Sequence, residues 1–328
     1  MFRFIHLAFL FLSVSALAED KPTLLVYTYS SFISEWGPGR EIKTLFEAEC
    51  HCRVKYAAFG DGVTILNRLK LEGKTTRADV IVGLDSDLIG AANQAGLVQP
   101  HRLKPFKAMQ LNWWDDNFIP YDYGYLAFIY NKNKIVRPPT SLHELISSDH
   151  NWKIVYQDPR TSTPGLGLVL WVQSVYGNNA TEAWKQLAKK TITVTKGWSE
   201  AYSLMLKNEA DFALSYDTSP VAHITNQANF DYKAASFDEG HYLQIEVAGI
   251  TKNSQQVPLA QQFLRFLAKP NIQHLVAVKN VMHSIIKIPS PQGFDKLIQV
   301  KKSLMLPAEI IETNRQQWVA TWLNATSH

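Results

Sequence analysis

A two-lobed α/β fold is predicted by three features of the chain. Strand-like and helix-like segments alternate from Leu24 to Ala95, a second alternating block runs from Lys153 to Ser215, and a long β-prone run lies on either side of that block. Alternation of this kind implies parallel sheets covered by helices. Two extended runs passing between such blocks imply a hinged clamshell, with ligands at the carboxyl ends of the strands.

The elements follow in order. Leu24 to Tyr29 is a β-rich apolar run, Glu41 to Ala48 has helical spacing, and Val54 to Ala58 reads as a strand. Val63 to Leu71 is a helix, Asp79 to Leu84 a strand, and Leu88 to Ala95 a helix closed by Gly96. The strand ends leave three loops placed to meet a ligand: Tyr29 to Pro38, Phe59 to Gly62, and Leu84 to Asp87. Phe118 to Asn131 is long and β-prone, as a strand crossing between lobes would be, and Tyr242 to Ile250 is a candidate for the return. Between them come strand Lys153 to Tyr156, helices Leu168 to Tyr176 and Glu182 to Lys189, strand Ile192 to Val194, helix Glu200 to Lys207 and strand Phe212 to Ser215. Beyond Leu259 the chain reads as mainly helical, with a Pro-rich turn at Pro289 to Pro291. The expected division is a first lobe of residues 19–121 and 246–282, a second of 122–245, and a helical segment 283–328 belonging to either.

Met1 to Ala18 carries one positive charge, Arg3, an apolar stretch from Phe4 to Leu12, and an A-L-A ending, the pattern of a cleavable secretory signal. Glu19 stands where a lipid-anchored protein would have cysteine, and no other segment is apolar enough to span a bilayer, so a soluble exported protein is expected. The formal charge of +4, falling to +3 without Arg3, is spread without a basic run, which argues against a nucleic-acid partner. Nine Trp and thirteen Tyr are enough to line a cleft as well as fill cores. The only cysteines, Cys50 and Cys52 in E-C-H-C-R, fit a short disulfide in an oxidising compartment better than a metal site, because a single His beside them supplies too few ligands.

The richest candidate site is Y-Q-D-P-R-T-S-T-P-G-L-G-L (Tyr156 to Leu168), a hydroxyl-bearing loop set against the start of an apolar helix. Free N–H groups of a first helical turn, with the positive end of the helix dipole behind them, favour phosphate or carboxylate. Ser162 and Thr163 offer hydroxyls, Pro164 suits a first turn, and Gly165 and Gly167 allow close backbone approach. Asp61-Gly62 forms a second helix start, where Asp61 caps for about 1 kcal/mol. Gly197-Trp198-Ser199 forms a third. Three such turns converging on a cleft would hold a phosphate largely through backbone donors.

Enzyme signatures are missing. His143-Glu144 lacks the second His of a zinc-protease helix, and there is neither a phosphate-binding G-x-x-x-x-G-K-[ST] loop nor a G-x-S-x-G elbow. His223, His241 and His283 are scattered and read as structural, and the chain has no adjacent tyrosines of the kind ferric carriers often use. No metal and no cofactor are expected.

With these motifs assembled, the chain resembles the periplasmic thiamine-binding proteins of bacterial ABC importers. The likeness runs through V-Y-T-Y and W-G-P-G (Val26 to Gly39), E-A-E-C-H-C (Glu47 to Cys52), D-G-V-T-I-L-N-R-L (Asp61 to Leu69), D-Y-G-Y (Asp122 to Tyr125), the Tyr156 to Leu168 loop, T-V-T-K-G-W-S-E-A-Y (Thr193 to Tyr202) and E-G-H-Y-L-Q (Glu239 to Gln244). The resemblance implies the type II-like periplasmic binding protein fold and a monomer that closes around thiamine, thiamine monophosphate or thiamine diphosphate and delivers it to an inner-membrane permease. By that resemblance Tyr29 and Trp36 line the cleft, Asp61, Gly62, Ser162, Thr163 and Trp198 hold the phosphate end, and Tyr216 is a further cleft aromatic. Two positions depart, because Ala222 and Val281 stand where the family pattern has Tyr and Trp. At about 0.5 to 2 kcal/mol per cation–π contact, their loss weakens binding by roughly ten- to a hundredfold. Asp217 offers a carboxylate to a cationic ligand, or else lies solvated at the surface. The rival readings are a carrier for another phosphorylated or zwitterionic solute, and a thiaminase-like enzyme.

Overall fold

The computed structural model describes residues 21–327, so the proposed signal at Met1 to Ala18 lies outside the described residues. The chain opens with β1 (Thr23–Tyr29), α1 (Gly39–Cys50), β2 (Arg53–Phe59), α2 (Gly62–Glu72), β3 (Val80–Asp85), α3 (Ile89–Gln94) and the short β4 (Val98–Gln99). β5 (Phe118–Asn131) crosses into a second block of α4 (Leu142–Ser147), β6 (Ile154–Gln157), α5 (Thr163–Tyr176), α6 (Ala180–Lys190), β7 (Thr191–Thr195), α7 (Trp198–Leu206), β8 (Phe212–Tyr216), α8 (Pro220–Gln227) and β9 (Tyr232–Ala234). β10 (His241–Thr251) crosses back, followed by α9 (Val257–Leu267), α10 (Pro270–Lys279), β11 (Ser303–Leu304) and α11 (Ala308–Thr326). No described helix is long and apolar enough to cross a membrane.

The strands hydrogen-bond in the order β2-β1-β3-β10-β5-β8-β6-β7. β1 pairs parallel with β2 and β3, and β6 pairs parallel with β7 and β8, as alternation with helices requires. β10 and β5 run antiparallel to each other and to the strands on either side, so the two crossing strands join the lobes side by side. This is the two-lobed α/β arrangement expected, with both crossing strands where the apolar runs placed them.

Each lobe closes over its own apolar cluster. The larger one gathers β1, β2 and β3 with Phe46 of α1, Leu66 of α2 and Phe263 of α9. The second gathers Phe128, Tyr156, Trp171, Trp184 and Phe237, and takes in Ile311 and Trp322 from α11. Trp322 Nε1 donates to Tyr156 Oη at 3.1 Å, which fixes α11 against the second lobe, while α11 also packs on α3 of the first. α5 is buried on almost every side from Thr163 to Val172, the pattern of a helix enclosed between a sheet and other helices.

That enclosure corrects one expectation. Gly165 and Gly167 do not admit a ligand: a Cβ on Gly165 would lie 2.3 Å from Gln157 O, and one on Gly167 would lie 2.7 Å from Leu126 Cδ1. Both glycines bring α5 close to β6 and β5. The helix also begins at Thr163, five residues before the expected Leu168, so the hydroxyl-rich loop is itself the first turn.

Candidate ligand-binding cleft

A cavity of about 610 Å³ lies between the lobes, a volume typical of small-molecule sites. Of the residues singled out in the sequence, Tyr29, Trp36, Asp61, Thr163, Trp198 and Tyr216 line it; Gly62, Ser162 and Asp217 do not. Trp36, half exposed at 50%, faces Trp198 from the opposite lobe with ring centroids 6.2 Å apart. Trp198 is held by a stacked Tyr202 at 5.1 Å and by donating its Nε1–H to Ser215 Oγ at 2.6 Å. The two departures, Ala222 and Val281, are also in the wall. Val281 has φ of 56°, a left-handed backbone that is costly for a β-branched residue.

The first turn of α5 is occupied by the protein itself. Ser162 Oγ donates to Asp61 Oδ2 and Thr163 Oγ1 to Asp61 Oδ1, each at 2.7 Å, across the junction of the lobes. Asp61 also caps α2 through Gly62 N at 2.8 Å, and its own N–H donates to Thr64 Oγ1 at 2.7 Å. Burial raises the Asp61 carboxyl above its ordinary range, while the two hydroxyls and the N–H groups of Gly62 and Thr163 pull it down. Gly62 is packed tightly, since a Cβ there would lie 2.4 Å from Gly83 O of its own lobe and 2.7 Å from Thr163 Cγ2 across the junction. The three helix starts therefore do not act alike: all three reach the cavity wall, but two answer each other through one carboxylate, and the start of α7 meets no such partner from the other lobe among the described residues. There Lys196, Gly197, Trp198 and Ser199 form the wall, without a side-chain cap on the helix.

Among the wall residues that sequence reasoning missed are Lys196, Glu246 and Asn280. Tyr29 Oη donates to Glu246 Oε2 at 2.7 Å, and Tyr121 Oη donates to the same oxygen. Asn280 Nδ2 donates to Tyr29 Oη at 2.9 Å and to Asp122 Oδ2 at 2.7 Å. Burial pushes the Glu246 and Asp122 carboxyls and the Tyr29 and Tyr121 phenols all above their usual ranges. The signal was present in H-Y-L-Q-I-E-V-A-G-I-T, where one acid interrupts a strand buried along its whole length.

Two candidates fall elsewhere. Asp217, only 2% exposed, neither meets the cavity nor lies at the surface: it accepts from Tyr125 N at 2.9 Å and pairs with His283 Nε2 at 2.7 Å. A carboxylate that short-ranged partners satisfy this fully is fixed as structure. The loop Leu84 to Asp87 supplies no residue to the cavity wall. Asp85 and Asp87 are buried, Tyr242 Oη donates to Asp87 Oδ1 at 3.1 Å, and burial lifts Asp87 to about 7, against the pull of Arg315 on α11. His223 and His241 are structural partners of Tyr202 Oη and Leu126 O, at 2.9 and 2.8 Å. Cys50 and Cys52 are joined as a disulfide between the end of α1 and the start of β2.

Two α/β lobes, crossing strands and an aromatic cavity at their junction define a solute-binding protein of the two-lobed type. The chain belongs to the bacterial extracellular solute-binding protein family, whose model matches residues 30–274. It is 50% identical over 309 residues to the thiamine-binding periplasmic protein of Escherichia coli K12, covering 94% of each chain. The protein of that name from Brucella abortus is 46% identical over 322 residues, covering 97% of this chain and 96% of the other. A solved periplasmic thiamin-binding protein superposes with a TM-score of 0.92 at 49% identity, over 95% of this chain and 98% of that one. The ferric-binding protein of Campylobacter jejuni, with a TM-score of 0.77 at 19% identity over 92% and 99%, shares the fold alone. These relatives make the chain a periplasmic binding protein, outside the enzyme classes.

Proposed function

We propose that this protein captures thiamine and its mono- and diphosphate esters in the cleft between its lobes and delivers them to an inner-membrane ABC permease. The observation that carries the reading is the charge and aromatic content of one cavity. Its second-lobe wall brings Lys196 and the first turn of α7, its first-lobe wall brings the Glu246 carboxylate, and Tyr29, Trp36, Trp198 and Tyr216 stand around them. A flat cation with an anionic tail matches that arrangement: rings stack on aromatics, and the tail meets N–H donors at a helix start. The high identity to proteins named for thiamine supports it. A ligand touching both lobes favours the closed form, which is the form a permease would read. Met1 to Ala18 would direct export and be removed, leaving a soluble monomer.

Ala222 and Val281 favour a second reading, a carrier for a different phosphorylated or zwitterionic solute, because the cavity wall there lacks aromatic faces. Native mass spectrometry of protein purified without refolding separates the two by the mass that co-purifies. Calorimetry with thiamine and its two phosphates must then give saturable heat for at least one of them; no heat with any of the three overturns the first reading.

A further inference from the structure

The Glu246 carboxylate is divided between two environments. All of its side-chain donors, from Tyr29, Tyr121 and Asn280, fall on Oε2, and among the described residues no hydrogen bond reaches Oε1. The residue is 9% exposed, and what exposure it has is to the cavity it lines. Its aim follows from the strand. The β10–β5 ladder shifts between Glu246 and Val247, so that Tyr121 is the extra residue between the partners Asp122 and Pro120. A bulge of this kind re-aims neighbouring side chains. Here it leaves Glu246 directly opposite Asp122, with Asn280 Nδ2 touching both, at 3.4 Å and 2.7 Å.

Two acids held on one amide nitrogen and buried together cannot both stay ionised without a counter-charge. The groups facing Glu246 supply none: they are Tyr29 on β1, Asp85 on β3, Tyr121 and Asp122 on β5, Tyr216 on β8, Asp61 at the start of α2, and the Asn280 amide after α10. Lys196 and Lys279 line the same cavity but make no ion pair with Glu246. Burial raises both acids of the pair, and the charge of Glu246 raises Asp122 further.

We propose that Glu246 selects for the cationic thiazolium ring of the ligand through Oε1, and that its pairing with Asp122 couples capture to proton release. The inference rests on the thiamine reading above. Before binding, the pair keeps a proton between its two carboxyls. A cation arriving at Oε1 favours the ionised form of both, and the proton passes to solvent. A neutral ligand of the same outline gains nothing from Glu246 and displaces no proton.

The test is calorimetry of the intact mature protein with thiamine and with thiochrome, its neutral fused-ring oxidation product, in two buffers of different ionisation enthalpy near neutral pH. Expected for the unaltered protein is a binding heat that differs between buffers for thiamine and agrees between them for thiochrome. Glu246→Gln is expected to weaken thiamine by about tenfold or more, the loss of one attraction between opposite charges, with thiochrome within about twofold and the buffer difference gone. Asp122→Asn, which leaves Glu246 in place, should keep the preference for thiamine and lose the buffer difference; it also carries the test if Glu246→Gln fails to fold. Equal heats in both buffers, a folded Glu246→Gln that binds thiamine unchanged, or a persistent buffer difference in Asp122→Asn overturns the inference. If the unaltered protein binds no thiamine at all, the functional reading falls and this inference with it.

Discussion

The starts of α5 and α7 look interchangeable in sequence and play opposite parts in the fold. Each follows a strand of the second lobe, each carries Ser or Thr with Gly nearby, and each presents N–H donors and a positive dipole end. At α5 the anion is supplied from inside the protein, by Asp61 reaching across from the first lobe to Ser162 and Thr163. At α7 the first turn faces the cavity beside Lys196. One socket therefore bonds to the other lobe, while the other has no carboxylate from across the junction among the described residues and lines the cavity. Local sequence records that a socket exists; which anion fills it depends on what the other lobe places opposite.

A matched pair of glycine substitutions tests that contrast most severely. Gly62→Ala sets a Cβ against the Gly83 carbonyl at 2.4 Å and Thr163 Cγ2 at 2.7 Å, and the carbonyl cannot yield as a flexible side chain would. The cost is expected to be about 1 to 3 kcal/mol of overpacking, read as a lower Tm, with the lobes held further apart in small-angle scattering. Gly197→Ala, at the start of α7, meets no atom within 4 Å in an extended backbone any residue adopts, and should leave both readouts unchanged. Equal effects at the two sites would remove the distinction between them.

Ser162→Ala probes the same contact more gently. It removes the 2.7 Å hydroxyl donor to Asp61 Oδ2 from a fully buried position, at an expected cost of about 1.5 to 3 kcal/mol for a bond to a charged group. Because the contact is between lobes, thiamine and both phosphates should lose affinity by the same factor in calorimetry. A loss confined to the phosphorylated forms would mean that the ligand, and not Asp61, uses this hydroxyl.

Lys196→Ala makes the complementary case at α7. Removing a cation from the wall of an aqueous cleft is expected to weaken the phosphate esters by about tenfold and thiamine itself far less. The difference should shrink as salt is raised. Equal weakening of all three forms would move the phosphate end away from α7.

The sequence carried the framework well where periodicity was long. Phe118 to Asn131 was readable as a crossing strand at both ends because an apolar run of that length in a chain of short strands has few other uses. α4 and α8 were not anticipated: the first is six residues long, and the second starts at Pro220 within a segment too short to display helical spacing. In the site, aromatic and hydroxyl residues were legible by type. Glu246 and Asn280 were not, since their meaning comes from a strand bulge and from a contact 34 residues apart in the chain. Asp217 misled for the same reason, its partner His283 lying 66 residues away.

The smallest expected effect concerns the two walls that lack aromatics, and it separates them. Ala222 lies in the first turn of α8 on regular helical backbone and lines the cavity, so Ala222→Tyr can present a ring without moving the chain. A cation–π contact of about 0.5 to 1 kcal/mol at this partly exposed position tightens thiamine by roughly two- to fivefold. Val281→Trp should gain less, because any side chain at φ of 56° keeps the left-handed strain that only glycine relieves. Val281→Gly, by the same argument, should raise Tm slightly and leave affinity nearly unchanged. If Val281→Trp instead tightens binding as much as Ala222→Tyr, the backbone at 281 is not limiting, and the aromatic face alone sets the strength of that wall.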